Sequence, residues 1–109
     1  MAQKVSSTNM KINVEIKAKE VPSVIYLCGN SPKLGLWKCS KALRVERGAN
    51  GIFSTVVKCN NGEILEFKIL KGCEWKDVEK GIYNEEIVDH AVDPKYGKEV
   101  TIVVWNWAL

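Results

Sequence analysis

Alternation of apolar and polar residues, broken at short intervals by turn signals, is the feature that most constrains this chain. Across residues 10–18, Ile12, Val14 and Ile16 fall on one side and Lys11, Asn13, Glu15 and Lys17 on the other, the period-two pattern of a half-buried strand. Val21-Pro22 interrupts it. Residues 23–29 form a second run, rich in Val, Ile and Tyr and ended by the turn cluster Gly29-Asn30-Ser31-Pro32. Further extended runs follow at 41–46, 52–59, 63–70, 74–79, 87–92 and 98–107. Asn60-Asn61-Gly62 is a hairpin signal, because Asn and Gly tolerate positive φ. It predicts that runs 52–59 and 63–70 pair, with Leu65, Phe67 and Ile69 on one face and Glu66, Lys68 and Leu70 on the other. No stretch holds a helical period. Seven or eight short strands at a spacing of roughly 8 to 12 residues predict an all-β chain folded as a β-sandwich. Residues 1–9 are polar and predict a flexible segment ahead of one domain over 10–109.

Composition narrows the function. A chain of 109 residues with 46% hydrophobic residues makes one modest core and leaves little room for a deep catalytic cleft. The net charge is +3, with only two arginines, Arg44 and Arg47, and no basic run. Lys and acidic residues alternate at 17–20 and 76–80, the pattern of a solvated face, so nucleic acid is not an expected partner. No apolar run approaches the roughly 18 residues of a membrane helix, so no membrane is expected. The first nine residues lack the apolar core of a secretory signal and Met1-Ala2 resembles a start; together these predict a cytoplasmic protein. Cys28, Cys39, Cys59 and Cys73 are separated by 11, 20 and 14 residues. Without a close cysteine pair, and with a single histidine, no zinc site is expected and no metal or other cofactor is implied. Four reduced thiols, some of them buried as small apolar groups, are the reading. Strand alternation predicts Leu27 inward and both Tyr26 and Cys28 outward.

Little in the chain points to catalysis. Asp89-His90 looks like part of a triad, but neighbours on a strand point to opposite faces and cannot orient one another. Glu85-Glu86 is a surface pair in a loop, and no glycine-rich phosphate loop opens a helix. The chain is therefore not expected to be an enzyme. The four tryptophans say more. Trp105 and Trp107 share a face of the last strand, and core packing accounts for Trp105. Trp37 and Trp75 stand in polar turn contexts, Leu-Gly-Leu-Trp-Lys and Gly-Cys-Glu-Trp-Lys. There an indole either anchors its loop on the core or waits for a ligand, because exposing it alone is unfavourable.

Residues 25–37, Ile-Tyr-Leu-Cys-Gly-Asn-Ser-Pro-Lys-Leu-Gly-Leu-Trp, resemble the opening motif of starch-binding domains, the family-20 carbohydrate-binding modules. Leu65-Glu66-Phe67-Lys68-Ile69-Leu70 resembles a later strand of that family, Lys41-Ala42-Leu43 falls at an intermediate one, and Trp75 stands where the family places a second tryptophan. The resemblance covers about residues 10–107. It implies an immunoglobulin-like antiparallel β-sandwich that binds α-1,4-glucans such as starch, glycogen or maltooligosaccharides without catalysis. It implies one site on Trp37 and Trp75 with a hydrogen bond from Lys68, and a second site beginning at Tyr26. That second site would need an aromatic at Phe53, where packing into the core is the stronger expectation. Where many members carry an Asn-Arg pair this chain has Asp89-His90, and Asn84 is the substitute available from the loop. The rival reading of the same scaffold is an immunoglobulin-like protein-interaction module that has lost sugar binding.

Overall fold

The computed structural model describes residues 7–109. Two sheets face one another. The first orders its strands β4-β1-β8, with β1 at Ser7–Ile16, β4 at Phe53–Asn60 and β8 at Glu99–Val104. The second orders them β3-β2-β5-β7, with β2 at Val24–Gly29, β3 at Leu43–Glu46, β5 at Leu65–Leu70 and β7 at His90–Val92. A short ribbon of β6 (Glu79–Lys80) and β9 (Asn106–Trp107) completes the β structure. All pairings are antiparallel except that of β1 with β8, which runs parallel. Of the expected flexible segment 1–9, residues 1–6 lie outside the described residues, and Ser7 to Asn9 open β1, paired with Asn60, Cys59 and Lys58.

The alternation places the core. Met10, Ile12 and Val14 of β1, Ile25 and Leu27 of β2, Phe53 and Val57 of β4, and Leu65, Phe67 and Ile69 of β5 are buried between the sheets together with Ile102 and Val104 of β8. Burying side chains of this size stabilises the fold by about 1.5–3 kcal/mol each. On the outer face of the first sheet, Asn13 is buried too. It donates to Glu99 Oε2 at 2.8 Å and accepts from Ser54 Oγ at 2.7 Å, a polar row that crosses all three strands.

Four expectations change. The turn at Asn60-Asn61-Gly62 forms, with Glu63 N–H donating to Asn60 O at 2.9 Å, but the flanking strands separate. β4 joins β1 in one sheet and β5 joins β2 and β7 in the other, so the turn is a corner between sheets rather than a hairpin. Leu70 shares the outer face of β5 with Lys68 yet is buried, because Val78 bridges back to it and Lys71 N–H donates to Asp77 O at 3.0 Å. Trp105 is 40% exposed and lies under the Lys17 ammonium, 5.3 Å from its ring centre, rather than in the core. The last strand breaks at Trp105, leaving β1 for β6. Trp107 is the indole that is buried, its Nε1–H donating to Glu20 O at 2.8 Å. Finally, residue Glu79 of the supposed solvated run 76–80 is only 2% exposed.

Candidate functional site

Two loops on the outer side of the second sheet carry the candidate tryptophans. The first follows β2. Pro32 opens a 3-10 segment, Pro32–Trp37, capped by Ser31 Oγ, which accepts from Lys33 N–H at 3.3 Å. Leu34 and Leu36 N–H groups both donate back to Ser31 O, at 2.8 and 3.1 Å. Leu34 turns into the core and is fully buried. The chain then passes through three consecutive positive φ values, +81° at Gly35, +49° at Leu36 and +64° at Trp37. Non-glycine residues hold that conformation at a cost of order 1–3 kcal/mol each, and such strain concentrates at functional sites. Gly35 is required here, because a Cβ would stand 2.6 Å from the Lys41 carbonyl group. The result is a reversal that leaves Trp37 36% exposed.

The second loop follows β5. Trp75–Asp77 is one 3-10 turn, closed by Asp77 N–H to Glu74 O at 2.9 Å and Val78 N–H to Trp75 O at 3.2 Å. It leaves Trp75 45% exposed. The two indoles meet: their ring centres are 6.4 Å apart and their planes are inclined by 29°, within the range of a favourable aromatic pair. The two tryptophans that were singled out in polar turns are therefore brought together.

Beside Trp75 a cleft of about 260 Å³ opens, lined by Lys68, Val78, Lys80, Glu86 and Ile87, with Glu79 at its base. The Lys68 ammonium donates to the Ile87 carbonyl and pairs with Asp89 at 3.6 Å. Across the cleft Lys80 Nζ lies 3.6 Å from Glu86 Oε1. Beneath it the buried Glu79 carboxylate accepts from Ile69 N–H at 2.6 Å, and both its oxygens lie 2.8 Å from His90 Nε2. Asp89 and His90 thus diverge to separate partners, as strand geometry requires. Glu79 ties β5, β6 and β7 together under the cleft. Nothing local in the sequence marks it, since its partners lie 10 and 11 positions away and it stands in the alternating run 76–80.

Tyr26 and Asn84 do not line this cleft. Tyr26 is half-buried on the outer face of β2, opposite Arg44 of β3 and Leu70 of β5. Its phenol is held above the ordinary range, chiefly by contact with the Cys73 thiol and then by burial, with Arg44 pulling the other way. Asn84 sits in the loop after β6 with φ +65°, its N–H donating to Gly81 O at 2.9 Å. Phe53 is fully buried, so the aromatic that a second site would need at that position is in the core. Cys28 shares the outward side of β2 with Tyr26, but it is fully buried rather than exposed. Its thiol contacts Cys39, at the start of the turn that follows Trp37. Burial first, then Cys39, pushes Cys28 up to about 11. All four cysteines are free.

A larger groove, about 510 Å³, lies between edge strands β7 and β8 under Tyr96 and holds none of these residues. Among the described residues no group of three or more His, Cys, Asp or Glu side chains could hold a metal ion.

The family model for the starch binding domain matches residues 7–103. The chain belongs to the starch-binding domain family. Solved structures share the fold. A family 20 carbohydrate-binding module of a maltotetraose-forming amylase from Pseudomonas saccharophila superposes with a TM-score of 0.61 and 16% identity, over 88% of this chain and 99% of that one. A glucoamylase from Hypocrea jecorina matches with a TM-score of 0.63 and 15% identity, over 94% of this chain. A γ-cyclodextrin glucanotransferase from alkalophilic Bacillus clarkii matches with a TM-score of 0.57 and 22% identity, also over 94% of this chain. This starch-binding domain spans only 17% of that glucoamylase and 15% of that glucanotransferase. No curated protein matches the chain.

Proposed function

We propose that this domain binds α-1,4-glucan without catalysis, on a surface made by Trp37 and Trp75 with Lys68 at its side. The observation that carries the reading is the pairing of two half-exposed indoles, delivered by separate loops to within 6.4 Å of each other. A solvated indole is unfavourable, and the C–H faces of pyranose rings are the surfaces that would cover it. The sugar hydroxyls would meet polar groups at the rim. Inclined rings suit a glucan helix, whose successive residues turn relative to one another. Lys68 keeps one ammonium hydrogen beyond its contacts with Ile87 and Asp89. Tyr26 and Asn84 lie outside the cleft lining and are not assigned a contact to the glucan.

Calorimetric titration with β-cyclodextrin or maltoheptaose tests this. The native domain should show saturable binding, accompanied by a change in tryptophan fluorescence. Trp37→Ala and Trp75→Ala should each weaken binding by about 1–3 kcal/mol, by analogy with the loss of one aromatic under a stacked nucleic-acid base, while the unfolding transition is retained. Affinity near that of the native domain in both variants would overturn the assignment.

A further inference from the structure

The polar side of the cleft carries an arrangement that the tryptophan pair does not explain. Lys68 is tied to the 87–89 segment by the Ile87 carbonyl and Asp89. The opposite rim is a second cation–anion pair, Lys80 with Glu86. The two members are held unequally. The Lys80 side chain is only 19% exposed, so its stem is packed and its head is fixed at the rim, whereas Glu86 is 91% exposed. Lys80 lies on β6, whose register with Asn106 is fixed by the ribbon. The loop carrying Glu86 is pinned by Asn106 Nδ2, which donates to Gly81 O at 2.8 Å and Ile82 O at 3.1 Å. Gly81 N–H also donates to Glu85 O at 2.8 Å. The pair is therefore built on anchored backbone at both ends, yet one of its members faces water.

A surface ion pair of this kind adds little to stability. What it offers is one ammonium donor beside one carboxylate acceptor. Two adjacent hydroxyls on a pyranose present the complement, since each hydroxyl both donates and accepts. Hydrogen bonds to the charged groups would be stronger than neutral ones. In an α-1,4-glucan, O1 and O4 are taken up by linkages, so the only vicinal diol of an internal residue is that of the 2- and 3-hydroxyls. We propose that Lys80 and Glu86 form a subsite that reads the 2,3-diol of the glucosyl residue lying beside Trp75. They are specificity-determining residues on the rim opposite Lys68. The proposal rests on the reading of Trp37 and Trp75 as a glucan surface.

The test uses β-cyclodextrin, which has only internal residues, and its 2,3-di-O-methyl and 6-O-methyl derivatives. Each ligand is titrated into the native domain, Glu86→Gln and Lys80→Met. Both variants should bind β-cyclodextrin about tenfold more weakly, the loss of one hydrogen bond to a charged group. Methylating O2 and O3 should weaken the native domain markedly, and the penalty should shrink in both variants because the partner groups are already gone. Methylating O6 should act equally on all three proteins. A 2,3-methylation penalty that is the same in all three would overturn the subsite and leave the tryptophan surface standing. A native domain that binds neither β-cyclodextrin nor maltoheptaose would overturn the glucan reading itself, and the subsite with it. Glu86 is exposed, so its variant keeps the test open even where Lys80→Met fails to fold.

Discussion

Cys28 illustrates how far a side chain's chemistry departs from its place in an alternating pattern. It lies on the outer face of β2, yet the turns after Trp37 cover it completely. Desolvation disfavours its thiolate, as it does for Cys59 and Cys39, and the Tyr26 phenol is raised in the same direction, first by its contact with Cys73. Each of these acids holds its proton more tightly in the folded chain than in the unfolded one. As pH rises from 9, the ordinary Cys28 value, towards 11, the unfolded chain sheds protons first. The folded state is then disfavoured, and stability falls across that window. Urea unfolding followed by fluorescence at pH 8, 9, 10 and 11 should show this decline, and Cys28→Val should flatten it. Thiol alkylation gives the spatial counterpart: exposed Cys73 should react first, and buried Cys28 and Cys59 only when the chain opens.

At the scale of elements, the segment Pro32–Trp37 does the most to create the site. Gly35 is held there by conformation and by space at once, since φ is +81° and a Cβ would stand 2.6 Å from Lys41 backbone atoms. Gly51 has a similar φ of +82° but nothing within 4 Å of an added Cβ. Gly51→Ala should therefore cost only the conformational term, about 1–2 kcal/mol. Gly35→Ala should cost more in chemical denaturation and should also weaken glucan binding, by displacing Trp37. Equal stability losses in the two variants would show that the close approach at Gly35 is unimportant. Most extended runs and the turn at Asn60–Gly62 were legible in the sequence because alternation and turn chemistry are local properties; the expected run 74–79 is instead the 3-10 turn Trp75–Asp77 leading into β6. Partner choice was not legible. β4 pairs with β1 through residues 39 to 53 positions apart, and no signal within residues 52–70 separates that outcome from a hairpin. The same limit hid Glu79, whose partners Ile69 and His90 come from two other strands. Trp37 and Trp75 were legible because apolar indoles in polar turns conflict with their surroundings. Trp105 was misjudged because the chain breaks there between β8 and β9, so the two indoles no longer share a face and Trp107 alone is buried.

For the molecule as a whole, charge and ligand chemistry make opposite demands on the rival partners. The net charge of +3 is spread over a surface on which Lys17, Lys19, Lys76 and Lys80 alternate with acids, and several lysines are paired, as Lys71 with Glu20 at 2.9 Å and Lys68 with Asp89 at 3.6 Å. Such a surface lacks the concentrated positive field that draws a polyanion. A neutral glucan brings no counterions to release, and its contacts with the indoles are insensitive to screening. The charged groups in the cleft act on hydroxyl dipoles at contact distance, well inside the roughly 8–10 Å over which salt screens. Binding of maltoheptaose should therefore change less than about twofold between 50 mM and 500 mM sodium chloride, measured by calorimetry at constant pH. Release of counterions from a nucleic acid would instead weaken binding by about a factor of ten or more for every one to two phosphates neutralised over that range. A steep fall in affinity for maltoheptaose with salt would mean that long-range electrostatics, and not the paired tryptophans, hold the ligand.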